Sequence, residues 1–321
     1  LANASKHAAV SYEHAGKTIQ QLEVEVQGLL TKAEQADSTP LEEGLTIPHE
    51  VQRRQERKAK LAAARAEIEA RAKARAAAEM AEYQAKLAER AALKNRGDQP
   101  RGPEPKEPSQ ESKPSDQYNF TDPESRIMKA GNGQHFEQCY NAQAAVEVDS
   151  RLIVGERVSQ APNDKQELVP CVAAIGQRVE SVAAVLADSG FYSEAAVQAV
   201  EQTPPGEPTG TTVYAALEKK EHHRTVSDLE KKEEPAAPAP EANLSEVMKH
   251  RLKTAAGRAQ YKLRQQTVEP VFGIIKSVMG FRQFLLRGVE KVGLEWQLVC
   301  VAYNLKRLHI LGTGLKLTHQ G

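Results

Sequence analysis

Two stretches of this 321-residue sequence carry residue types that could do chemistry together. VLADSGFYS places Asp188 directly after an apolar run, where a strand would end and the chain would turn. TVEPVFGIIK, residues 267–276, places Glu269 and Lys276 seven residues apart. On a regular helix, at about 100° per residue, they stack on one strip. Val268, Val271, Phe272, Ile275 and Met279 form the apolar stripe of that helix, and Gly273 and Gly280 leave the charged strip bare of bulk. A carboxylate at a strand end and another on a helix edge suit divalent-metal chemistry, because Mg²⁺ takes hard oxygen ligands and is typically held by one or two carboxylates plus substrate phosphates. Two such ions about 4 Å apart can activate a water and stabilise the leaving oxygen of a phosphodiester. The plainer alternative is that Asp188, Ser189 and Gly190 simply form a turn, and that Glu269 and Lys276 are solvated surface charges.

Overall charge is balanced, 43 Lys+Arg against 43 Asp+Glu, but it is segregated along the chain. Arg251 to Lys291 holds nine Lys/Arg and two Glu, a net of +7, whereas 221–246 is acid-rich. A basic segment in a neutral chain points to a polyanion, nucleic acid first. The three cysteines, Cys139, Cys171 and Cys300, are scattered with no CxxC pair. That count argues for a reducing cytosol and against a disulfide framework or a zinc ribbon. His222 and His223 are adjacent, a poor spacing for a metal pair on a helix face. No run of about 18 apolar residues would span a membrane.

Several elements must position these residues. A helix is expected over about 12–36 and a long Ala/Glu/Arg/Lys-rich one over 50–95, which has no Gly or Pro. Its large apolar residues are sparse (Leu61, Ile68, Met80, Tyr83, Leu87), so it reads as a helical arm or a loose antiparallel hairpin. The Pro- and charge-rich stretches 97–117 and 232–242 offer little to bury and read as disordered linkers. YNAQAAVEVDS and LIVGERVSQ alternate as an antiparallel strand pair turning at Asp149–Arg151. Asp164 is expected to open a helix, with Glu167 at the capping-box offset. SVAAVLA (181–187) and TTVYAAL (211–217) read as strands, with Ser193 capping a helix between them. Trp296, Val299, Cys300 and Tyr303 are at helical spacing and are expected to pack a closing helix onto the sheet, with Cys300 a core residue rather than a nucleophile. The order of strands and helices predicts an α/β fold with mixed strand directions.

YKLRQQTVEPVFGIIKSVMGFRQFLLRG resembles the signature of bacterial insertion-sequence transposases of the DDE class, which carry Tyr, Arg, Glu and Lys on one helical segment. The matching positions are Tyr261, Arg264, Glu269 and Lys276; Arg-to-Glu leaves four residues between where the common pattern leaves three. VLADSGFYS resembles the family's second-aspartate motif, and DPESRIMK with YNAQAAVEVD resembles the strands before it. The resemblance spans about 120–310 and implies a ribonuclease-H-like mixed sheet flanked by helices, with an inserted helical arm. It also implies two Mg²⁺ (or Mn²⁺) ions held by Asp188 and Glu269 as the second and third acids. Tyr261, Arg264 and Lys276 would hold the element's double-stranded DNA ends, since phosphate contacts position a duplex without reading its sequence. Metal-dependent end cleavage and strand transfer by a homodimer, in the bacterial cytoplasm near the nucleoid, would follow.

In that family the first acid lies in an Asp-Gly-Thr-Lys-like motif just before a segment resembling LANASKHAAVSY, with which this sequence begins. The expectation is an N-terminally truncated, inactive fragment: 1–10 closing the first-acid strand region, 11–95 the arm, 96–119 a linker, 120–312 the catalytic core with an insert near 220–247, and 313–321 a tail. Asp37, Asp122 and Asp149 are poor substitutes for the missing acid. The alternative class is a non-catalytic DNA-binding remnant or scaffold derived from a mobile element.

Overall fold

The computed structural model describes residues 2–4, 6–35, 46–95, 97, 99, 103–129, 135–176, 179, 181–203, 206–217, 234–239 and 242–318. The chain divides into two compact units, Ser5–Pro123 and Leu1–Ala4 with Glu124–Gly321.

The Ser5–Pro123 unit is a helical hairpin with a small ribbon at its base. Strand β2 (Ala9–Ser11) leads into α1 (Tyr12–Glu34), whose first turn is capped by Ser11 Oγ accepting from His14 N. Helix α2 (Ile47–Asn95) has 49 residues, so it extends roughly 74 Å. Ala15 and Leu22 of α1 pack on Leu61 and Ala64 of α2. Ile68, Ala72 and Ala76 continue α2's buried face. Tyr12 fixes the register of the two helices: its hydroxyl donates to Glu69 and accepts from Arg65, both at 2.7 Å, while that guanidinium lies 4.2 Å from the ring centroid. The stretch read as a loose linker has no helix or strand over 103–116, yet its end is tied down. Tyr12 N donates to Asp116 O at 2.9 Å, Arg75 pairs with Asp116 at 3.3 Å, and β3 (Gln117–Asn119) pairs antiparallel with β2.

In the other unit, β1 (Ala2–Ala4), β5 (Phe136–Cys139) and β4 (Arg126–Lys129) form an antiparallel sheet. The expected hairpin is β6 (Asn141–Val146) with β7 (Ile153–Ser159). Its turn places Arg151 at φ 59° and is locked by Glu147, whose carboxylate accepts from Asp149 N and Ser150 N. Strands β8 (Ala184–Ala187) and β9 (Thr212–Ala215) pair in parallel, with α4 (Glu194–Glu201) between them in sequence and capped by Ser193 as expected. The expected continuous mixed sheet is not formed among the described residues: β6–β7 and β8–β9 remain separate pairs. Ala144, Ala145, Val185 and Leu186 instead line a 280 Å³ groove that separates the facing edges of β6 and β8.

Helix α3 (Leu168–Ile175) begins later than predicted, and its N-cap Glu167 makes no side-chain cap bond. It packs so closely on β7 that a Cβ on Gly155 would sit 2.9 Å from Ile175 N. Gly155→Ala is therefore expected to cost about 1–3 kcal/mol, since backbone rather than a side chain must move; urea denaturation measures this. After α5 (Leu244–Lys253) comes α6 (Ala255–Gly273), then a π-helical turn at Ile274–Val278, and α7 (Val289–Thr318) closes the unit. Residues 218–233, 240 and 241, which take in 232, 233, 240 and 241 of the predicted 232–242 linker, lie outside the described residues, and 234–239 and 242 form no helix or strand.

Helix α7 is clamped to the β6–β7 hairpin as its spacing foretold. Trp296 Nε1 donates to Gln143 O at 2.9 Å, and Asn304 both accepts from Ile153 N and donates to Ile153 O at 2.8 Å. Trp296, Cys300 and Tyr303 are buried in one core with Val271, Ile275 and Phe284.

Candidate functional site

The sequence of β8 is apolar up to Ala187, and the chain turns at once at Asp188. Asp188 Oδ1 accepts from Gly190 N at 2.7 Å, an Asx turn of the kind that the plainer reading of DSG requires. The turn does not exhaust the carboxylate, which has four lone-pair directions.

Asp164 comes to the same place, and sequence reasoning assigned it elsewhere. It does not cap a helix through its side chain. Asp164 Oδ1 instead accepts from Asn141 Nδ2 at 2.7 Å and Gln143 Nε2 at 2.6 Å, both from the first turn of β6's pleat. A Cβ placed on Gly190 would lie 3.0 Å from Asp188 Oδ1 and 3.4 Å from Asp164 Oδ2, so the two acids flank that glycine. No motif spacing links Asp164 with residues 21 and 23 positions earlier; only the hairpin brings them together.

Helix α6 supplies the remaining groups. Thr254 caps its start by accepting from Gly257 N at 3.0 Å. Val271 and Ile275 are fully buried and Val268 and Phe272 half-buried, as the stripe predicted. Tyr261 and Arg264 share one face, the guanidinium carbon 5.8 Å from the ring centroid. Burial raises the Tyr261 hydroxyl's pKa above its ordinary value; Arg264 opposes that shift and the negative charge of Asp188 adds to it. Tyr261 therefore feels both the acid at the strand end and the base on its own helix.

Arg264 is the centre of the arrangement. It lines a 160 Å³ cavity together with Asp188, Val268, Phe272, Ala144 and Leu186. Its side chain is only 20% exposed, its Nε is buried with no hydrogen-bond partner among the described residues, and its Nη2 lies 3.7 Å from Glu269 Oε1. The extra residue between Arg264 and Glu269, compared with the usual spacing, does not prevent the two from pairing. Glu269 itself is 61% exposed and does not line the cavity. Asp188 and Arg264 thus line one cavity, and Arg264 pairs with Glu269, which does not line it.

Lys276 stands apart, exposed on the π turn with its ammonium 5.8 Å from the Phe272 ring centroid. Pro270 lies inside α6 and supplies no backbone N–H, and beyond it the bonding widens, with Met279 N donating to Ile274 O, five residues back. Gly273 is open, nothing lying within 4 Å of where a Cβ would be, so the strip between Glu269 and Lys276 is bare.

Of the weaker candidates for a first acid, Asp149 lies in the β6–β7 turn, Asp122 belongs to the hairpin unit, and Asp37 falls outside the described residues. No group of three or more His, Cys, Asp or Glu placed to hold a metal occurs among the described residues. The thiols offer no alternative chemistry: Cys139 and Cys300 are buried, and burial with the nearby Glu167 pushes Cys171 up to about 12. No described helix is long and apolar enough to cross a membrane.

Residues 223–309, which include all of α5 and α6 and two thirds of α7, match a family model described as a transposase DDE domain. No curated protein and no solved structure gave a match. The match supports a transposase DDE domain over that span, and Tyr261, Arg264, Glu269 and Lys276 all fall within it, whereas Asp164 and Asp188 lie before it.

Proposed function

We infer, with the transposase DDE match over 223–309 as premise, that this chain binds the DNA ends of a mobile element and takes part in their metal-dependent cleavage and in strand transfer. The observation that carries the reading is Arg264: a mostly buried guanidinium that shares a cavity with Asp188 and pairs with Glu269, with an Nε donor that no group among the described residues accepts. Buried donors are normally paired, and a phosphate oxygen is the partner that a guanidinium suits best.

Each residue then has a part. Arg264 and Tyr261 hold the phosphate next to the bond to be cut, and Lys276 adds a point charge to the same backbone from the open strip. Asp188 and Glu269 are the residues to hold Mg²⁺ or Mn²⁺; as carboxylates they offer the hard oxygen donors such ions take. When bound, the ions supply an activated water and charge stabilisation for the leaving oxygen. Asn141 and Gln143 fix Asp164, which adds negative charge beside Asp188. In the protein without DNA, the ion pair with Arg264 compensates the charge on Glu269. A phosphate that engages the guanidinium competes with that pair and frees the carboxylate as substrate arrives.

Binding of duplex DNA tests this. Arg264→Ala is expected to raise Kd about tenfold or more, in line with roughly 1.5–3 kcal/mol for a charged hydrogen bond, with the circular dichroism spectrum unchanged. Wild-type affinity in that variant would remove Arg264 from the interface. A second reading, a DNA-binding remnant without catalysis, draws on the absence of a three-ligand group among the described residues and on the Asx turn at Asp188. It predicts the same loss of binding in Arg264→Ala but no metal-dependent cleavage.

A further inference from the structure

Helix α7 is apolar on two opposite faces. Val292, Trp296, Cys300 and Tyr303 are buried in the core. On the other side, Leu294, Leu298, Val301, Leu305 and Leu308 are exposed by 59, 69, 48, 63 and 51%. At about 100° per residue these five fall within an arc of about 80°, centred nearly opposite the buried face. A helix with one face on a core is expected to present polar residues to water; this one presents a second apolar stripe about 21 Å long. The steps along it are four, three, four and three residues. That alternation, averaging 3.5, is the repeat that keeps a seam facing a partner helix.

We propose that this stripe is a self-association surface, which pairs with the same stripe of a second copy as two antiparallel α7 helices around a two-fold axis at Val301. Symmetry is the first reason. Leu294 and Leu308 lie seven residues to either side of Val301, and Leu298 and Leu305 lie three and four, so a two-fold rotation lays the stripe on itself. Such an interface is self-complementary by construction. Area is the second. Five half-exposed aliphatic side chains offer on the order of 500 Å² of apolar surface per copy, the core of the roughly 800 Å² per partner that a stable interface needs. Charge is the third: the five stripe residues are all apolar, their neighbours Gln297, Ala302 and Asn304 are uncharged, and the carboxylate of the flanking Glu295 is taken up by Leu285 N and Leu286 N of its own copy, so no like charges are opposed across the axis. Gly312 occupies the next seam position and ends the run of large side chains. The surface lies away from the cavity at Asp188 and does not depend on whether the chain cleaves DNA.

Sedimentation equilibrium of the 321-residue chain, at about 1 μM to about 100 μM to bracket micromolar affinity, tests it. The expected result is a mass that rises with concentration from 35.2 kDa towards twice that value. Leu298→Glu and Leu305→Glu should stay at 35.2 kDa throughout, with an unchanged melting curve because both positions are exposed. Cysteine pairing fixes the geometry. Val301→Cys should form a disulfide dimer by itself, and a mixture of Leu294→Cys with Leu308→Cys should form a mixed dimer that neither forms alone. The wild type, with Cys139 and Cys300 buried, is the control. A wild type that remains monomeric would overturn the proposal, whether another part of the chain covers the stripe or not. So would dimers that persist in Leu298→Glu, or Leu294→Cys cross-linking to itself, which would mean a parallel or different contact.

Discussion

Glu269→Ala is expected to abolish metal-dependent DNA cleavage while metal-free end binding stays within a few-fold of wild type. Lys276→Ala should do nearly the reverse. The difference follows from where each side chain stands. Glu269 is an exposed carboxylate whose protein partner among the described residues is Arg264, 3.7 Å away, so in the proposed role its removal leaves the guanidinium free for phosphate and deletes only a metal ligand. Without that ligand the rate should fall by orders of magnitude, because the metal's charge stabilisation is worth several kcal/mol and each ~1.4 kcal/mol is tenfold. Lys276 lies on the π turn against Phe272, away from the cavity. Its loss should weaken binding about equally across end sequences and reduce the log–log salt slope by about 0.9, one phosphate's share. A cleavage assay with a binding titration at two salt concentrations separates the two residues. If both were idle surface charges, each substitution would shift stability by less than about 0.5 kcal/mol and leave activity alone; cleavage at wild-type rate in Glu269→Ala would remove it from the site.

The second large effect is on stability. Trp296→Ala should destabilise the chain by about 3–5 kcal/mol, read from the shift of the urea midpoint. Trp296 is fully buried, stacks on Phe272 with ring centroids 5.8 Å apart, meets Phe281 and Phe284 at 6.3 and 6.4 Å, and satisfies Gln143 O. Removal therefore leaves a cavity among three aromatic rings and an orphaned carbonyl in β6. Trp296→Phe keeps most of the volume but loses the N–H donor, and should cost about 1–3 kcal/mol. Phe272 also lines the cavity that holds Asp188 and Arg264. Trp296→Ala should accordingly weaken DNA binding at temperatures where the chain is still folded, although Trp296 touches no proposed DNA contact.

Local pattern made much of this legible in the sequence. The 3.6-residue stripe gave the buried face of α6, alternation gave the β6–β7 hairpin, and Ser193 marked the start of α4. Each of these signals sits within one element. What escaped depended on contacts distant in sequence. Asp164 looked like a helix cap because Glu167 follows at the right offset, but Asn141 and Gln143 take its carboxylate once the hairpin forms. The Arg264–Glu269 pair was hidden because spacing on one helix does not fix side-chain direction, and the π turn after Pro270 was hidden because it is a departure from the regular period used to read the helix. The predicted single sheet failed for a different reason. Pattern identifies strands, whereas pairing requires edges within hydrogen-bond reach, and a groove lies between β6 and β8.

That groove bears on how the protein behaves in a crowded solution. Among the described residues each of its two flanking strands pairs on one side only, which leaves each with an edge of unbonded backbone groups. An unprotected strand edge is a template for pairing with another chain, and here two such edges face the same space. An extended peptide entering it could bond on both sides at once, which makes capture steeper than at an ordinary edge. Alanine and valine make up most of the opening's lining, with Glu147 and Arg264 as its charged groups and no proline or lysine among the described residues. Expression at high temperature or high concentration should therefore drive this chain into β-rich aggregates before its helices melt, and a chaperone that binds extended apolar peptides should raise the soluble yield.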